Sequence, residues 1–177
     1  TVTSSGNLAI TGTANAPSAV NAKGVSLVGG SVSTTGSATL TVTGSGVPAP
    51  APATSYEVDV SGTTLSTAGG EIKLVGDRMN VASAINSGAG RTVIVPFSAS
   101  RPISLGGASE SAALNLTASE INNITAATLV VGGNTFTGGI SIGNTGGMIS
   151  PTGTSALSLI NSNAASIGQT AAFSVSN

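Results

Sequence analysis

Apolar and polar residues alternate along most of this chain in runs of about five, and glycine or asparagine closes most of the runs. Side chains of a strand point alternately to opposite faces, so each run predicts a short strand with one buried face. Residues 7–12 (NLAITG) set Leu8 and Ile10 on one face. Residues 24–29 (GVSLVG) do the same with Val25 and Leu27, and residues 38–43 (ATLTVT) with Leu40 and Val42, leaving Thr39, Thr41 and Thr43 outside. In YEVDVS (56–61), Tyr56, Val58 and Val60 share one face, and Glu57 and Asp59 the other. EIKLVG (71–76) pairs Ile72 with Leu74, and TVIVPF (92–97) is more fully apolar. PISLGG, ALNLTA, TLVVGG, GISIGN, ALSLIN and FSVSN continue the style to the last residue. Glycine and asparagine tolerate the left-handed conformations of sharp corners.

One stretch breaks the pattern. In GSGVPAPAPATS (44–55), Pro48, Pro50 and Pro52 alternate with small residues. Proline lacks an N–H to donate, so the stretch reads as a projecting loop or linker within a single β-rich domain spanning residues 1–177. Helix is nearly absent. TASEINNITA (117–126) has Thr117 and Glu120 at capping-box spacing and an Ile121–Ile124 apolar pair, which predicts one or two helical turns. MNVASAINS (79–87) is a weaker candidate. SLVGGSVSTTGSATL (26–40) can be laid beside TLVVGGNTFTGGISI (128–142) with one gap, the imperfect self-similarity that stacked coils produce.

Composition sharpens the architecture. The four aromatic residues are Tyr56, Phe97, Phe136 and Phe173, so Val, Ile, Leu and Ala must fill the core. Aliphatic residues stacked like on like fill a parallel β-solenoid, with Thr, Ser and Asn ladders outside. Coils of about 20 residues would give about eight coils and, at about 4.8 Å per strand, a rod near 40 Å long. The alternative is a β-sandwich, whose terminal strands would exchange with neighbours. Asn-Gly and Asp-Gly hairpin dipeptides are missing, which weighs against it.

Only eleven residues are charged, and histidine, cysteine and tryptophan are absent. A net charge of −1 removes electrostatic attraction to nucleic acid or anionic membranes. No apolar run approaches the roughly 18 residues of a membrane span, and no signal peptide is visible at Thr1. Low charge with abundant Thr, Ser, Asn and Gly is the composition of exported bacterial surface proteins. The acids are Glu57, Asp59, Glu71, Asp77, Glu110 and Glu120. Glu57 and Asp59, about 7 Å apart on one strand face, have the spacing of a glycosidase pair, but read as a solvated face. Glu71 and Lys73 read as an exposed ion pair, and Asp77 with Arg78 as a corner hydrogen bond. The serines have no histidine to activate them, and GGNTFTGG lacks the aspartate of calcium-binding repeats. No catalytic, cofactor-binding or metal residue is assigned, and no cofactor is expected. The Thr-x-Thr motifs raise ice binding, but they recur irregularly.

Residues 101–142 resemble filamentous-haemagglutinin-like exoproteins of the two-partner secretion route. The resemblance rests on the RPISLG opening, the LNLTASEINNI block, TLVVGG and the GISI strand. It implies a right-handed parallel β-helix shaft that carries adhesive regions away from the cell. The functional expectation is therefore an extracellular or cell-surface structural and adhesive protein, a shaft segment or self-assembling filament subunit, and not an enzyme. Its partners would be copies of itself, through terminal strands, and a host or neighbouring-cell surface, without nucleic acid or membrane insertion. Two alternatives remain. One is a glycan- or host-protein-binding module using Tyr56 and the 47–53 loop; the other is a polysaccharide-cleaving β-helix enzyme.

Overall fold

The computed structural model describes residues 1–15, 20–47, 54–107, 112–143, 149–162 and 166–169. Most of the Pro/Ala stretch, Glu110 and the FSVSN run lie outside them. Among the described residues every strand pair is parallel, which removes the antiparallel sandwich. The fold is all-β, with parallel sheets stacked in the manner of a solenoid.

Successive passes of the chain lay strands on three faces. The first face stacks β1 (Val2–Ser4), β4 (Ser31–Thr34), β7 (Thr64–Thr67) and the start of β10 (Ile85–Val95). The second stacks β2 (Leu8–Thr13), β5 (Leu40–Ser45), β8 (Ile72–Val75), the rest of β10, β13 (Ile124–Gly133) and β15 (Thr154–Asn161). Because β10 and β13 run through the corner, these two faces form one nine-stranded sheet. The third face carries β3 (Lys23–Leu27), β6 (Tyr56–Val60) and β9 (Met79–Val81), then a four-stranded sheet. That sheet runs β12 (Leu114–Leu116), β11 (Ile103–Leu105), β14 (Ile140–Ile142) and β16 (Ile167–Gln169).

Like stacks on like inside. Leu8, Leu40, Ile72, Thr92, Leu129 and Leu157 occupy successive rungs of one column, and Ile10, Val42, Leu74, Ile94, Val131 and Leu159 those of the next. The buried aliphatic residues form one contiguous cluster reaching from Val25 to Ile149. Each fully buried Leu or Ile contributes about 1.5–3 kcal/mol of apolar transfer, so the columns are the main source of stability. Outer hydroxyls pair along the stack in the first rungs, Thr3 with Ser33 and Thr13 with Ser45, each at 3.1 Å.

Among the described residues, six rungs on the second face make a stack about 24 Å deep. Along the first column the rung-to-rung separations are 32, 32, 20, 37 and 28 residues. Coils are therefore longer and less regular than the strand runs imply, because corners and excursions absorb the difference. The 26–40 and 128–142 stretches are not a structural repeat. The first runs from β3 through β4 to β5, the second from β13 to β14, on different faces.

Inward hydroxyls close the corner between the first and second faces. Thr34 Oγ1 donates to the Ala38 carbonyl at 2.8 Å and Thr67 Oγ1 to that of Gly70 at 2.7 Å. One rung on, buried Ser87 and Thr92 pair with each other at 3.1 Å. The opposite corner, between second and third faces, is too tight for a side chain. A Cβ at Gly12 would lie 2.1 Å from the Gly24 carbonyl oxygen, and one at Gly44 1.8 Å from that of Glu57.

The helix α1 (Ala118–Asn122) forms where the capping box predicts it, with Thr117 as N-cap and both reciprocal bonds to Glu120 present. It ends earlier than predicted, because Ile124 already belongs to β13. Residues 79–87 are not helical; they supply β9 and the start of β10, with Met79, Val81 and Ile85 buried. Gly44 and Ser45 belong to β5, so the loop begins later than residue 44.

Candidate functional site

Several charged residues, Lys23, Glu57, Asp59, Asp77 and Arg78, gather at the corner leading into the third face and along its strands. Lys23 Nζ lies 3.0 Å from Asp59 Oδ2 and 4.1 Å from the centre of the Tyr56 ring. One ammonium touches both, so Tyr56 lies with Asp59 and not with buried Val58 and Val60, as strict alternation predicts. Asp59 also accepts from Asn80 Nδ2 at 2.8 Å. Glu57 accepts from the backbone N–H of Asp77. Asp77 in turn accepts from the N–H of Ser98, at 2.7 Å, and from its hydroxyl, a corner hydrogen bond of the expected kind.

Glu57 and Asp59 are 4% and 5% exposed, which corrects the expectation of a solvated face. The corner draws Glu57 under the chain, and Lys23 with Tyr56 covers Asp59. Burial raises the Glu57 pKa above 4.5, and the Asp77 carboxylate adds to the rise. The N–H groups of Asp77 and Val47 and the Arg101 guanidinium oppose it. Burial and the Arg101 charge lower the Arg78 pKa. Two carboxylates divided in this way, one in the corner and one in an ion pair, do not flank a common space as a glycosidase pair does. Glu71 pairs with Arg91 Nε on the next rung, not with Lys73 two residues along its own strand. Rungs lie closer than i, i+2 neighbours, so the cross-rung pair forms instead.

The order of the third face contains the largest departure from simple winding. After β11 the chain turns back and lays β12 between β9 and β11, parallel to β11, before α1 leads into β13. Among the described residues, β9 has a ladder partner in β6 only. On its other side α1 supplies side chains in place of a strand. Glu120 Oε1 accepts from the Val81 N–H at 3.0 Å, and Asn123 Nδ2 donates to the Val81 carbonyl at 2.8 Å. Between β9 and β12 lies a polar groove of about 460 Å³, lined by Tyr56, Arg78, Asn80, Asn115, Thr117 and Ser119 among others. Asn123 lines it as well.

A second groove, about 380 Å³, lies on the outside of the second face. The first two rungs there show Thr11, Thr41 and Thr43; the later ones show Val93, Val95, Val130 and Ile160. Phe97, 54% exposed, stands at this apolar strip beside Lys73 and Arg91. The threonine ladder required for ordering water therefore ends after two rungs. Phe97 had a signal in the sequence, since the run 92–97 is too apolar for a strand with one wet face. Asn115 had none, because its exposure to the groove depends on the out-of-order placement of β12.

Among the described residues no three His, Cys, Asp or Glu side chains gather to hold a metal ion. Among the same residues no helix is long and apolar enough to cross a membrane. Compared with protein-family models, curated proteins and solved structures, the chain matches none.

Proposed function

We propose that the protein is an extracellular scaffold, a segment of a right-handed parallel β-solenoid that serves as an adhesin shaft or filament subunit. The carrying observation is the pair of inward columns, aliphatic at every rung but that of Thr92, with the buried acids committed to a corner hydrogen bond and an ion pair. Right-handedness follows from the strong preference for right-handed connections between parallel strands. The resemblance of residues 101–142 to filamentous-haemagglutinin-like exoproteins favours the same assignment, and with it a bacterial cell surface.

Axial growth would use the ends of the stack. Among the described residues, β1, β2 and β3 present one edge without a ladder partner, as do β15 and β16 at the other end. Val2 and Ile167 there are 51% and 48% exposed, half-covered positions of columns that are buried further in. An edge of this kind pairs with another strand, whether from adjoining chain or from a second copy. Electron microscopy of the purified chain tests the proposal. Rods should be seen, and deletion of residues 1–12 should shorten or abolish them while a folded monomer remains. Unchanged filaments after the deletion would defeat assembly through this edge.

A further inference from the structure

We propose that the groove on the outside of the second face binds a sugar ring that bears a carboxylate. The outward residues there fall into columns, as the inward ones do. Val93 of β10 stands level with Lys73 of β8 and with Val130 of β13, and Arg91 stands level with Thr128. Among the described residues Glu71 takes the Arg91 Nε, while the Lys73 ammonium and the two terminal nitrogens of Arg91 have no partner. Two cations therefore share one carboxylate at this end of the groove. The positive charge left over is complementary to an anion, and a guanidinium with free terminal nitrogens suits a carboxylate.

The other end is a wall. The loop after β13 is tied down: the Phe136 carbonyl accepts from the Ser162 N–H at 3.0 Å and from its hydroxyl at 2.8 Å, and the Thr137 N–H donates to the Ala99 carbonyl at 2.8 Å. Buried Phe136 lies against outward Gly132, where a Cβ would come 3.3 Å from its ring. Asn134 and Thr135 are left exposed at the rim. Phe97 is also held in place. Pro96 restricts the backbone before it, and Ser98 after it bonds Asp77 through both N–H and hydroxyl. An exposed ring fixed beside the valines loses little freedom when a ligand covers it. From the level of Arg91 to that of Gly132 is four residues of strand, about 13 Å.

A pyranose is apolar where its C–H groups face outward and polar around its edge. The groove divides the same way. Val93, Val95 and Phe97 meet the C–H face, Asn134 and Thr135 the hydroxyls, and Lys73 with Arg91 the carboxylate. Its volume of about 380 Å³ falls within the range of small-molecule sites, about 300–1,000 Å³. An acyl chain would use the valines but set hydrocarbon against Asn134 and Thr135. An extended peptide adds to a free strand edge, and β8, β10 and β13 each have a neighbour on both sides. The groove lies on the side of the stack, so the proposal does not depend on axial growth from its ends.

Amide NMR on the whole chain tests the proposal. Digalacturonate and sialyllactose are the probes. The controls are galabiose, the first frame without carboxylates, and lactose, the second without its acid sugar. The expected result is a saturable shift of the Val93, Val95 and Thr135 amide resonances with at least one acid probe, and binding at least tenfold weaker with its control. The probe that responds tells a uronate from a sialate. Lys73→Gln and Phe97→Ala, both outward changes, should each weaken binding at least fivefold while resonances far from the groove stay in place. Absence of a saturable shift with both acid probes overturns the proposal, as does an equal response to the controls or an unchanged affinity in Lys73→Gln. An equal or larger response to octanoate would make the groove a site for acyl carboxylates and overturn the sugar assignment.

Discussion

Replacing Gly44 by alanine adds a single methyl group, at the point where two faces of the stack approach most closely. The new Cβ would lie 1.8 Å from the Glu57 carbonyl oxygen and 2.4 Å from its carbon, both backbone atoms of the neighbouring face. An ordinary carbon–oxygen contact is about 3.3–3.6 Å, so the corner must open by about 1.5 Å. Gly12 and the Gly24 backbone one rung away hold it shut. Overpacking of this kind costs about 1–3 kcal/mol, occasionally more, while the lost flexibility of the unfolded chain returns about 0.4–1 kcal/mol. The clash is with backbone, which puts the cost at the top of that range, so the net loss should be about 2 kcal/mol. With a urea m-value of about 2 kcal/mol/M, the midpoint should fall by about 1 M or more. Two controls grade the effect by distance. At Gly76 a Cβ would meet the Glu57 Cβ at 3.2 Å and the Val58 Cγ2 at 3.3 Å, and a shift of a few tenths of an ångström should keep the change within about 1 kcal/mol. At Gly6 it would meet nothing within 4 Å, so alanine should be neutral or slightly stabilising. Because stacked coils can unfold piecemeal, hydrogen exchange at Val42 and Val58 should accompany the urea curves. If Gly44→Ala unfolds within about 0.5 kcal/mol of the parent, or Gly6→Ala is the more damaging, close approach is not what the glycine serves.

Two further outcomes follow from the corner and the helix. The folded-state pKa of Glu57 is raised above 4.5, so the native state holds this proton more tightly than the unfolded chain. Its contribution is fully present below the ordinary value and is lost as pH rises through the raised one. Glu57→Gln should flatten the fall in stability across that window, and urea midpoints with a parallel pH dependence in both proteins would disprove it. Glu120→Ala removes both the capping box and the acceptor for the Val81 N–H. A cap is worth about 0.5–2 kcal/mol and an orphaned buried donor about 1–3 kcal/mol, so a loss of about 2–3 kcal/mol is expected in denaturant unfolding, with faster exchange of the Val81 amide.

Strands whose alternation runs for four or more residues were legible in the sequence. NLAITG, ATLTVT, EIKLVG and TLVVGG all lie on the second face, where inward Leu, Ile and Val contrast with outward Thr or Lys. The first face was not. Strands β4 and β7 each offer one inward aliphatic residue, Val32 or Leu65, followed by an inward threonine that bonds the corner. A buried threonine reads as polar, and the alternation disappears. The first three rungs of the second face carry a repeat. Leu8, Leu40 and Ile72 recur every 32 residues, as do Gly12, Gly44 and Gly76, and the register stacks the first two of each set directly. It fades after β8 because the next coil takes 20 residues and the one after 37. The 26–40 and 128–142 likeness joins segments on different faces and marks no coil.

The two grooves show why a scaffold sequence conceals its sites. Stacking requires only that inward positions be aliphatic and that the corners close, so it leaves outward residues and excursions free to vary. Replacing threonine by valine at 93, 95 and 130 costs the columns nothing and makes an apolar strip beside Phe97. Sending the chain back after β11 to lay down β12 keeps Leu114 and Leu116 in the core, fully buried. It also breaks the backbone ladder at one place on the third face, and α1 repairs that break for Val81 but not for Met79. The first departure is a matter of residue type and can be read from the run itself. The second is a matter of strand order, which the hydrophobic pattern of ALNLTA does not encode, since the same inward leucines would suit any rung. Chemistry on a stacked β fold is thus to be sought where the winding is interrupted rather than where charged residues are close in sequence: Glu57 and Asp59 are adjacent on one strand, yet each is consumed by a different structural partner.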